Sequence, residues 1–350
     1  MAEVGFNKHH PLYQADLLRI LQTPGVSRLC GHRVLLSGST GLLGCCLIDA
    51  LMSYNRQGAD ITVYAMGRNR DKAAARLGEY FADSHFHFLE HDACEPLADV
   101  PDVDYIIPLA SNTHPLAYSQ YPVETIRINV RGAEYALRKA VACGATVLYP
   151  SSVEVYGNAR GDDMFSEYYT GQLSLASARS CYPESKRVSE ALCQSYKVEF
   201  GASVRIVRLS RVFGPTMLMS DSKASSQFLL KALNGEDIVL KSKGEQQFSY
   251  TYMADAVAAM LYVLLHGKDG EPYNVACPAC NVRLKDFAAL CAEWAGRQVV
   301  YDLPSDAEQR GFSIATRALL DNSRLTALGW RPQYTMRDAV ARTLSILKQE

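Results

Sequence analysis

Neither sign of charge predominates in this sequence of 350 residues, which carries 36 basic and 37 acidic side chains. A nearly neutral chain has no overall field to attract nucleic acid or an anionic membrane, so we expect a small-molecule partner, with no nucleic acid and no membrane. Long hydrophobic runs are also missing. The longest, residues 256–265, is too short to span a bilayer and predicts a buried helix. The first residues lack the basic leader and apolar block of a signal peptide, which predicts a cytoplasmic protein.

The ten cysteines follow no regular spacing that would indicate a disulfide framework. Such usage is typical of reduced thiols in a cytoplasm. Cys277 and Cys280 form a CxxC motif, but no second CxxC and no nearby histidine pair completes a zinc set, so we expect no metal.

Residues 33–44, RVLLSGSTGLLG, have the pattern of a strand, a glycine turn and the start of a helix. The apolar run predicts a strand that is buried on both faces, and Gly38, Gly41 and Gly44 follow at intervals of three. The first two glycines let the backbone approach a pyrophosphate, the third lets the helix pack on the strand, and the helix N-terminus favours an anion. The pattern predicts a dinucleotide site formed by Gly38, Thr40, Gly41, Leu42, Leu43 and Gly44.

The end of the second predicted strand, residues 61–66, is where a dinucleotide-binding fold contacts the adenosine ribose. An acidic residue there would bond the 2′-hydroxyl of NAD. The sequence has Arg68 instead, which is suited to the 2′-phosphate of NADP. A solvated basic turn before a helix that starts near Asp71 explains Arg68 equally well, so the sequence leaves NAD and NADP open.

Further segments supply the rest of the expected cofactor site. Strands are predicted at residues 86–89 and 105–110, and an amphipathic helix at 122–142. Asp92 follows the first of these strands and is placed to meet an adenine amino group. Asn129 lies inside the helix, where a buried residue bonded to backbone is the alternative. The cofactor residues expected here are Asp92, Ala93, Leu109, Ala110, Ser111 and Asn129.

Strands that alternate with helices over roughly 200 residues predict an α/β fold with a Rossmann-type doubly wound parallel sheet. The alternation loosens from Gly214 onward, which indicates a smaller α+β portion that closes over the substrate. We divide the chain into an N-terminal helical extension at 1–30, a dinucleotide-binding domain at 31–213 and a mainly substrate-binding domain at 214–350, with an interleaved boundary.

Tyr182 and Lys186 lie four residues apart in a segment, residues 182–200, that is predicted to be helical, so their side chains share one face. The ammonium would lower the pKa of the phenol and make Tyr182 an acid or base near neutral pH. A strand predicted at 146–149 delivers Ser152 to the carboxyl edge of the sheet, where its hydroxyl can bond the same substrate oxygen.

The sequence resembles the extended short-chain dehydrogenase/reductases, and among them the NAD-dependent nucleotide-sugar epimerase/dehydratase family. Three motifs carry the resemblance: the glycine turn, SSVEVYG at 151–157, and the pair formed by Tyr182 and Lys186. It extends from about Val34 to Trp330. Within the family, the UDP-glucuronate decarboxylase branch is most similar at residues 179–190 and 220–228.

The resemblance implies that Tyr182 as phenolate removes the proton of a sugar hydroxyl, that Ser152 and Lys186 assist, and that hydride passes reversibly to a bound NAD or NADP. The resulting ketone acidifies the neighbouring carbon, so a proton, water or carbon dioxide can be lost before the hydride returns. Glu154 occupies the position of the family's glutamate, a base or positioning group in that middle step. A glutamate bonded to loop amides is the alternative.

Several positions depart from the pattern of the decarboxylases and dehydratases. Val153 replaces the serine or aspartate before the glutamate, so dehydration by the usual aspartic acid is not expected. Phe248 replaces an arginine for the substrate's diphosphate or carboxylate, Thr216 replaces another arginine, and Arg211 replaces an asparagine. We hypothesise that Arg211 binds the anionic group that Phe248 is unable to bind. Lys223 lies in the substrate loop. The substrate would then still be phosphorylated but would bind in a different position.

These features predict an enzyme that oxidises and re-reduces a nucleotide-linked sugar. Epimerisation is the first expectation and UDP-glucuronate-type decarboxylation the alternative, because the absence of the arginine and serine weakens decarboxylation. An NADPH-consuming reductase, supported by Arg68, and a non-catalytic dinucleotide-binding sensor are further alternatives. The resemblance also implies a homodimer through a four-helix bundle of residues 122–142 and 182–200. The base and the sugar are left undefined.

Overall fold

The central sheet consists of seven parallel strands. The computed structural model describes residues 6–113, 115–161, 164–302 and 316–348. The strands of this sheet are β1 (Arg33–Ser37), β2 (Thr62–Gly67), β3 (Phe86–Glu90), β4 (Tyr105–Pro108), β5 (Thr146–Ser152), β6 (Ser203–Leu209) and β10 (Pro272–Val275). Their order across the sheet is β10-β6-β5-β4-β1-β2-β3, so the chain winds outward in both directions from β1. The predicted Rossmann-type doubly wound sheet is confirmed.

Short strands of the C-terminal half form two further sheets. In the first, β9 (Gln247–Tyr252) pairs with β7 (Arg211–Phe213), β11 (Asn281–Arg283) and β13 (Arg317–Ala318). In the second, β8 (Ile238–Leu240) pairs in parallel with β12 (Val299–Tyr301). Strand β10 lies far beyond residue 213 in sequence but pairs with β6, so the C-terminal half also contributes to the central sheet.

Helices cover both faces of the central sheet because side chains along its strands alternate between two cores. Val34 and Leu36 of β1 belong to one core and Leu35 to the other. In the described chain, the helices are α1 (Pro11–Leu21), α2 (Leu42–Asn55), α3 (Arg70–Leu77), α4 (Pro115–Gln120), α5 (Pro122–Cys143), α6 (Cys181–Phe200), α7 (Ala224–Leu233), α8 (Met253–His266), α9 (Leu284–Ala295), α10 (Ser323–Leu328) and α11 (Met336–Leu347).

The helices pack in two groups, one on each face of the central sheet. Helices α5 and α6 pack against each other on one face, and α1, α2 and α8 pack together on the other. The predicted helices at 122–142 and 182–200 agree with α5 and α6 to within one residue. Among the described helices, none is both long and apolar enough to cross a membrane.

A buried carboxylate attaches the N-terminal helix α1 to the C-terminal half. Asp16 is fully buried and accepts hydrogen bonds from the hydroxyls of Tyr252, at 2.7 Å, and Tyr334, at 2.6 Å. The guanidinium of Arg342 on α11 lies 2.6 Å from the same carboxylate. Residues about 240 and 320 positions apart in sequence from α1 are thereby joined to it.

Candidate active site

The glycine turn joins β1 to α2 and lies against the end of β4. Gly38 has a φ of +67°, and a Cβ placed there would lie 2.7 Å from both the backbone nitrogen of Ala110 and the carbonyl carbon of Leu109. A Cβ at Gly44 would lie 2.4 Å from the carbonyl oxygen of Gly38. Gly41 precedes α2, and no described side chain caps that helix end, so its first N–H groups are available to an anion. This cradle fits a dinucleotide pyrophosphate. The turn and the first residues of α2 also contain Thr40, Leu42 and Leu43.

Asn129 connects the end of β4 to helix α6. Its Oδ1 accepts a hydrogen bond from the hydroxyl of Ser111 at 2.7 Å, and its Nδ2 donates to Oγ of Ser185 at 2.9 Å. Its backbone oxygen accepts from Ser189 at 3.0 Å. The alternative of a buried side chain bonded to backbone does not describe Asn129, since both polar atoms of its side chain bond other side chains. Asn129 fixes the predicted cofactor residue Ser111 relative to the helix that carries Tyr182.

At the adenosine end of the expected cofactor site, the guanidinium of Arg68 lies near the carboxylates of Glu124 and Asp92. Nη1 of Arg68 lies 3.0 Å from Oε1 of Glu124 on α5 and 3.9 Å from Oδ2 of Asp92. The Arg68 side chain is 56% exposed, so it is solvated, as one alternative expected, but it is also ion-paired. Ala93 is buried against α5 at Gly132.

The three predicted catalytic side chains Ser152, Tyr182 and Lys186 lie together, and all are buried. Ser152 ends β5, and its hydroxyl lies beside the phenol of Tyr182 and accepts the backbone N–H of Glu154 at 3.2 Å. Lys186 Nζ donates to the carbonyl of Pro150 at 2.8 Å and lies 6.0 Å from the centroid of the Tyr182 ring. The structure therefore assembles the hydroxyl, phenol and ammonium that the sequence predicted.

The pKa of Tyr182 is raised above its ordinary value, which is opposite to the prediction. Burial is the largest cause, and the carboxylate of Glu154 adds to it, whereas the hydrogen bond from Ser152 and the charge of Arg179 act against them. Burial also lowers the pKa of Lys186 to about 8. The prediction that Lys186 lowers the pKa of the phenol is wrong for this structure, because its ammonium bonds a carbonyl and a buried phenolate is poorly solvated.

The predicted residue Glu154 is bound to an arginine. Nη2 of Arg179 lies 2.8 Å from Oε1 of Glu154, so the carboxylate is ion-paired rather than bonded to loop amides as in the alternative explanation. The same guanidinium lies 4.6 Å from the centroid of the Tyr118 ring. Tyr118 in turn stacks on Tyr182, with ring centroids 4.9 Å apart and an angle of 30° between the planes. A continuous path of contacts therefore joins Glu154 to the candidate base.

The predicted substrate residues Arg211 and Phe248 are in direct contact. The guanidinium of Arg211 lies 3.7 Å from the centroid of the buried Phe248 ring, and its Nε is buried without a hydrogen-bond partner among the described residues. Burial raises the pKa of Tyr118, and the positive charges of Arg179 and Arg211 act against that rise. Lys223, by contrast, is paired with Asp221, whose Oδ2 lies 3.2 Å from Nζ.

Sequence reasoning missed a role for Tyr118 and Arg179. Tyr118 belongs to α4, a helix of six residues that no pattern predicted. Arg179 was recognised only as part of a stretch similar to the decarboxylase branch. Its spacing of three residues before Tyr182 was the available signal, although only the fold shows that it reaches Glu154.

Within the described residues, no group of three or more histidine, cysteine, aspartate or glutamate side chains is arranged to hold a metal ion. The ten cysteines are present as free thiols. The thiols of Cys277 and Cys280 lie 2.9 Å apart and are buried.

The sequence is similar to known proteins over most of its length. Residues 34–276 match the model of the NAD-dependent epimerase/dehydratase family. The chain is 31% identical over 320 residues to UDP-glucuronic acid decarboxylase 5 of Arabidopsis thaliana, covering 90% of this chain and 89% of that one. It is 30% identical over 322 residues to UDP-glucuronic acid decarboxylase 1 of Xenopus tropicalis, covering 91% of this chain and 72% of that one.

Solved structures show the same fold. A dTDP-glucose 4,6-dehydratase from Streptomyces venezuelae superposes with a TM-score of 0.76 at 24% identity, covering 90% of this chain and 96% of that one. A UDP-glucuronic acid 4-epimerase from Bacillus cereus superposes with a TM-score of 0.75 at 19% identity, covering 90% of this chain and 99% of that one. The protein is an enzyme of the extended short-chain dehydrogenase/reductase class. It belongs to the NAD-dependent epimerase/dehydratase family.

Proposed function

We propose that this protein converts a nucleotide-linked uronic acid by transient oxidation and decarboxylation. The observation that carries the proposal is the presence of two guanidinium groups, those of Arg179 and Arg211, near Tyr118 and the candidate base Tyr182. A nucleotide sugar has one anionic group, its diphosphate, whereas a nucleotide-linked uronic acid has a second, its carboxylate. The similarity over nine-tenths of the chain to UDP-glucuronic acid decarboxylases supports the same substrate class.

The residues of the site have complementary parts in this reaction. Tyr182 takes a proton from a sugar hydroxyl, and the hydroxyl of Ser152, which lies beside the phenol, bonds the same substrate oxygen. A nicotinamide bound through the glycine turn supplies a reversible acceptor for hydride. The ketone formed on the sugar accepts the electron pair of the carbon–carbon bond as carbon dioxide leaves, which gives an enolate. A proton from water adds to the carbon that held the carboxylate and restores the ketone, and Tyr182 gives its proton to the oxygen when hydride reduces that ketone. Lys186 holds its Nζ by a hydrogen bond to the carbonyl of Pro150, 6.0 Å from the centroid of the Tyr182 ring, so its role is to position groups beside the candidate base rather than to lower the pKa of the phenol.

Epimerisation is the second candidate and was the first expectation from sequence. Val153 and Phe248, which replace a serine or aspartate and an arginine of the decarboxylase pattern, favour it. The position of Arg211 weakens this argument, since its guanidinium lies against the Phe248 ring and supplies a positive charge close to where the arginine is missing. The decarboxylase similarity then makes decarboxylation the better proposal.

Incubation with UDP-glucuronic acid, followed by mass spectrometry of the nucleotide sugars, tests the proposal. Decarboxylation gives a product lighter by carbon dioxide with no net change in the dinucleotide. A product of unchanged mass and altered configuration establishes epimerisation instead. Net consumption of NADPH identifies a reductase, and an unchanged substrate in the presence of bound dinucleotide identifies a sensor.

We further propose that the recycled cofactor is NAD rather than NADP. Glu124 and Asp92 both lie within 4 Å of the Arg68 guanidinium. A 2′-phosphate would compete with Glu124 for Arg68 and would be repelled by both carboxylates, whereas the 2′-hydroxyl of NAD can donate a hydrogen bond to one of them.

The substitution Glu124→Gln is expected to improve NADP binding relative to NAD by about 3- to 10-fold, because it removes one negative charge beside the incoming phosphate. Equilibrium dialysis against equal concentrations of NAD and NADP, followed by chromatography of the bound dinucleotide, measures the ratio. Glu134→Gln removes a carboxylate from the same helix, where it pairs with Arg138, and should leave the ratio unchanged. A wild-type protein that retains mostly NADP would contradict the proposal.

A homodimer through α5 and α6 is proposed as well. These helices pack side by side, and both expose apolar side chains to solvent. Val123, Ile126 and Val188 are 61%, 45% and 48% exposed. Apolar side chains exposed along two adjacent helices are typical of an interface with a second copy.

Val188→Glu is expected to convert the dimer to a monomer, since each copy would bury an unpaired carboxylate at the interface. Analytical ultracentrifugation measures the mass. Leu18→Glu, at a 52% exposed position on α1, is the matched control and should leave the dimer intact. A monomeric wild-type protein would refute the interface.

A further inference from the structure

Arg179 lies between a carboxylate and an aromatic ring, and 45% of its side-chain surface is exposed. Its guanidinium bonds Glu154 at 2.8 Å and lies 4.6 Å from the centroid of Tyr118. Tyr118 is 4% exposed and Tyr182 is 7% exposed, and their rings are stacked. The charge of Arg179 therefore lies one ring away from the hydroxyl that we propose as the base, at the reacting end of the site.

We infer that Arg179 determines the specificity for an acidic sugar by binding the sugar carboxylate with the part of its guanidinium that Glu154 does not engage. The inference rests on the proposed function, because it assigns the carboxylate of that substrate class to a particular residue. Arg211 and Arg179 then have separate tasks, Arg211 binding the phosphate end of the substrate and Arg179 the sugar end.

The geometry of the guanidinium supports this division. Within the described part of the chain, the one side-chain hydrogen bond of Arg179 is the bond from Nη2 to Glu154. Arginine has five N–H donors in a planar fork that matches a carboxylate, so one fork can hold two carboxylates on different edges. The face of the guanidinium is already covered by Tyr118, which leaves the donor edge for a ligand.

The contact with Glu154 gives the arrangement a consequence for catalysis. While the sugar site is empty, Glu154 is held by Arg179 alone among the described side chains that contact it. A second carboxylate on the same guanidinium shares its charge, which weakens the hold on Glu154 when the substrate is in place. A neutral sugar has no group that does this, so Arg179 both selects the acidic sugar and adjusts the charge of Glu154 for it.

Binding measurements with three ligands separate this role from a structural one. Isothermal titration gives the affinities of wild type and Arg179→Met, in the presence of saturating dinucleotide, for UDP-glucuronic acid, UDP-glucose and UDP. Arg179→Met is expected to weaken the binding of UDP-glucuronic acid by about 10- to 100-fold, the effect of removing a charge-assisted hydrogen bond. The binding of UDP-glucose and of UDP should weaken by less than about 2-fold. Arg179→Lys should recover part of the loss, because it keeps the charge without the fork.

Two further variants make the result specific. Arg211→Ala is expected to weaken the binding of all three ligands by a similar factor, since each contains the diphosphate. Arg127→Met, at an exposed position on α5, should leave the binding of all three ligands unchanged. Thermal unfolding of each variant establishes that the fold is retained.

The outcomes discriminate between the inference and the proposed function. Equal weakening of UDP-glucose and UDP-glucuronic acid by Arg179→Met, or a wild type that does not prefer UDP-glucuronic acid, overturns the inference. If the selective loss is observed but the product retains its carboxylate, the inference stands and decarboxylation fails. If carbon dioxide is released and Arg179→Met binds normally, the proposed function stands and the inference fails.

Discussion

Replacing Tyr182 with phenylalanine is expected to lower turnover by about 10²- to 10⁴-fold, the contribution of a positioned acid or base, while dinucleotide binding changes little. The substitution removes only the hydroxyl and keeps the ring that stacks on Tyr118. Because burial raises the pKa of Tyr182, the residue is a phenol before substrate binds and must lose its proton to act as a base. Phenylalanine can neither accept nor return that proton.

The assay is product formation from UDP-glucuronic acid, with bound dinucleotide measured on the same sample. Tyr196→Phe is the matched control, since it removes a hydroxyl from the same helix at a site where that hydroxyl accepts a hydrogen bond from Arg138 at 3.3 Å. It should retain full turnover. Unchanged turnover in Tyr182→Phe would remove the residue from the mechanism and, with it, the account of Ser152 and Lys186 as its assistants.

The sequence predicted the parts of the fold that depend on local pattern. Alternating strands and helices gave the doubly wound sheet, and the spacing of Gly38, Gly41 and Gly44 gave a turn that the backbone geometry requires to be glycine at two positions. The spacing of Tyr182 and Lys186 placed both on α6. These features are set by residues close together in sequence, so a periodicity is enough to find them.

Contacts between segments that are distant in sequence could not be predicted from local periodicity. The sequence showed that Phe248 replaces an arginine of the decarboxylase pattern and that Arg211 adds one. Only the pairing of β7 with β9 brings the Arg211 guanidinium over the Phe248 ring. The bond between Arg179 and Glu154 and the pairing of Arg68 with Glu124 likewise depend on which loops meet. The pKa of Tyr182 was mispredicted for the same reason, because spacing indicates a neighbouring ammonium but not the degree of burial.

The N-terminal helix α1 makes another contact with distant segments that the sequence did not predict. The sequence indicated a helical extension and no chemistry for it, yet Asp16 accepts bonds from Tyr252, Tyr334 and Arg342. The carboxylate is fully buried, and Arg342 keeps 20% of its side-chain surface exposed. A buried charge with this many partners is stable only while all of them are present.

Asp16→Ala is therefore expected to lower the free energy of unfolding by about 3–5 kcal/mol, the cost of breaking a buried pair from one side. The substitution leaves two tyrosine hydroxyls and a guanidinium without their acceptor and opens a cavity between α1 and α11. Urea denaturation followed by circular dichroism measures the change. Leu18→Ala, on the exposed side of the same helix, should change stability by less than about 0.5 kcal/mol.

Asp16→Asn separates the two parts of this effect. Asparagine keeps an acceptor for one hydroxyl but removes the charge that pairs with Arg342, so its loss of stability should lie between those of Leu18→Ala and Asp16→Ala. A loss as small as that of Leu18→Ala in the Asp16→Ala variant would mean that α1 is not held by this carboxylate. Because α1 also packs on α2, the helix that begins at the glycine turn, the same variant should bind NAD more weakly at urea concentrations below the unfolding transition. Unaltered NAD affinity there would show that the extension stabilises the C-terminal half without supporting the cofactor site.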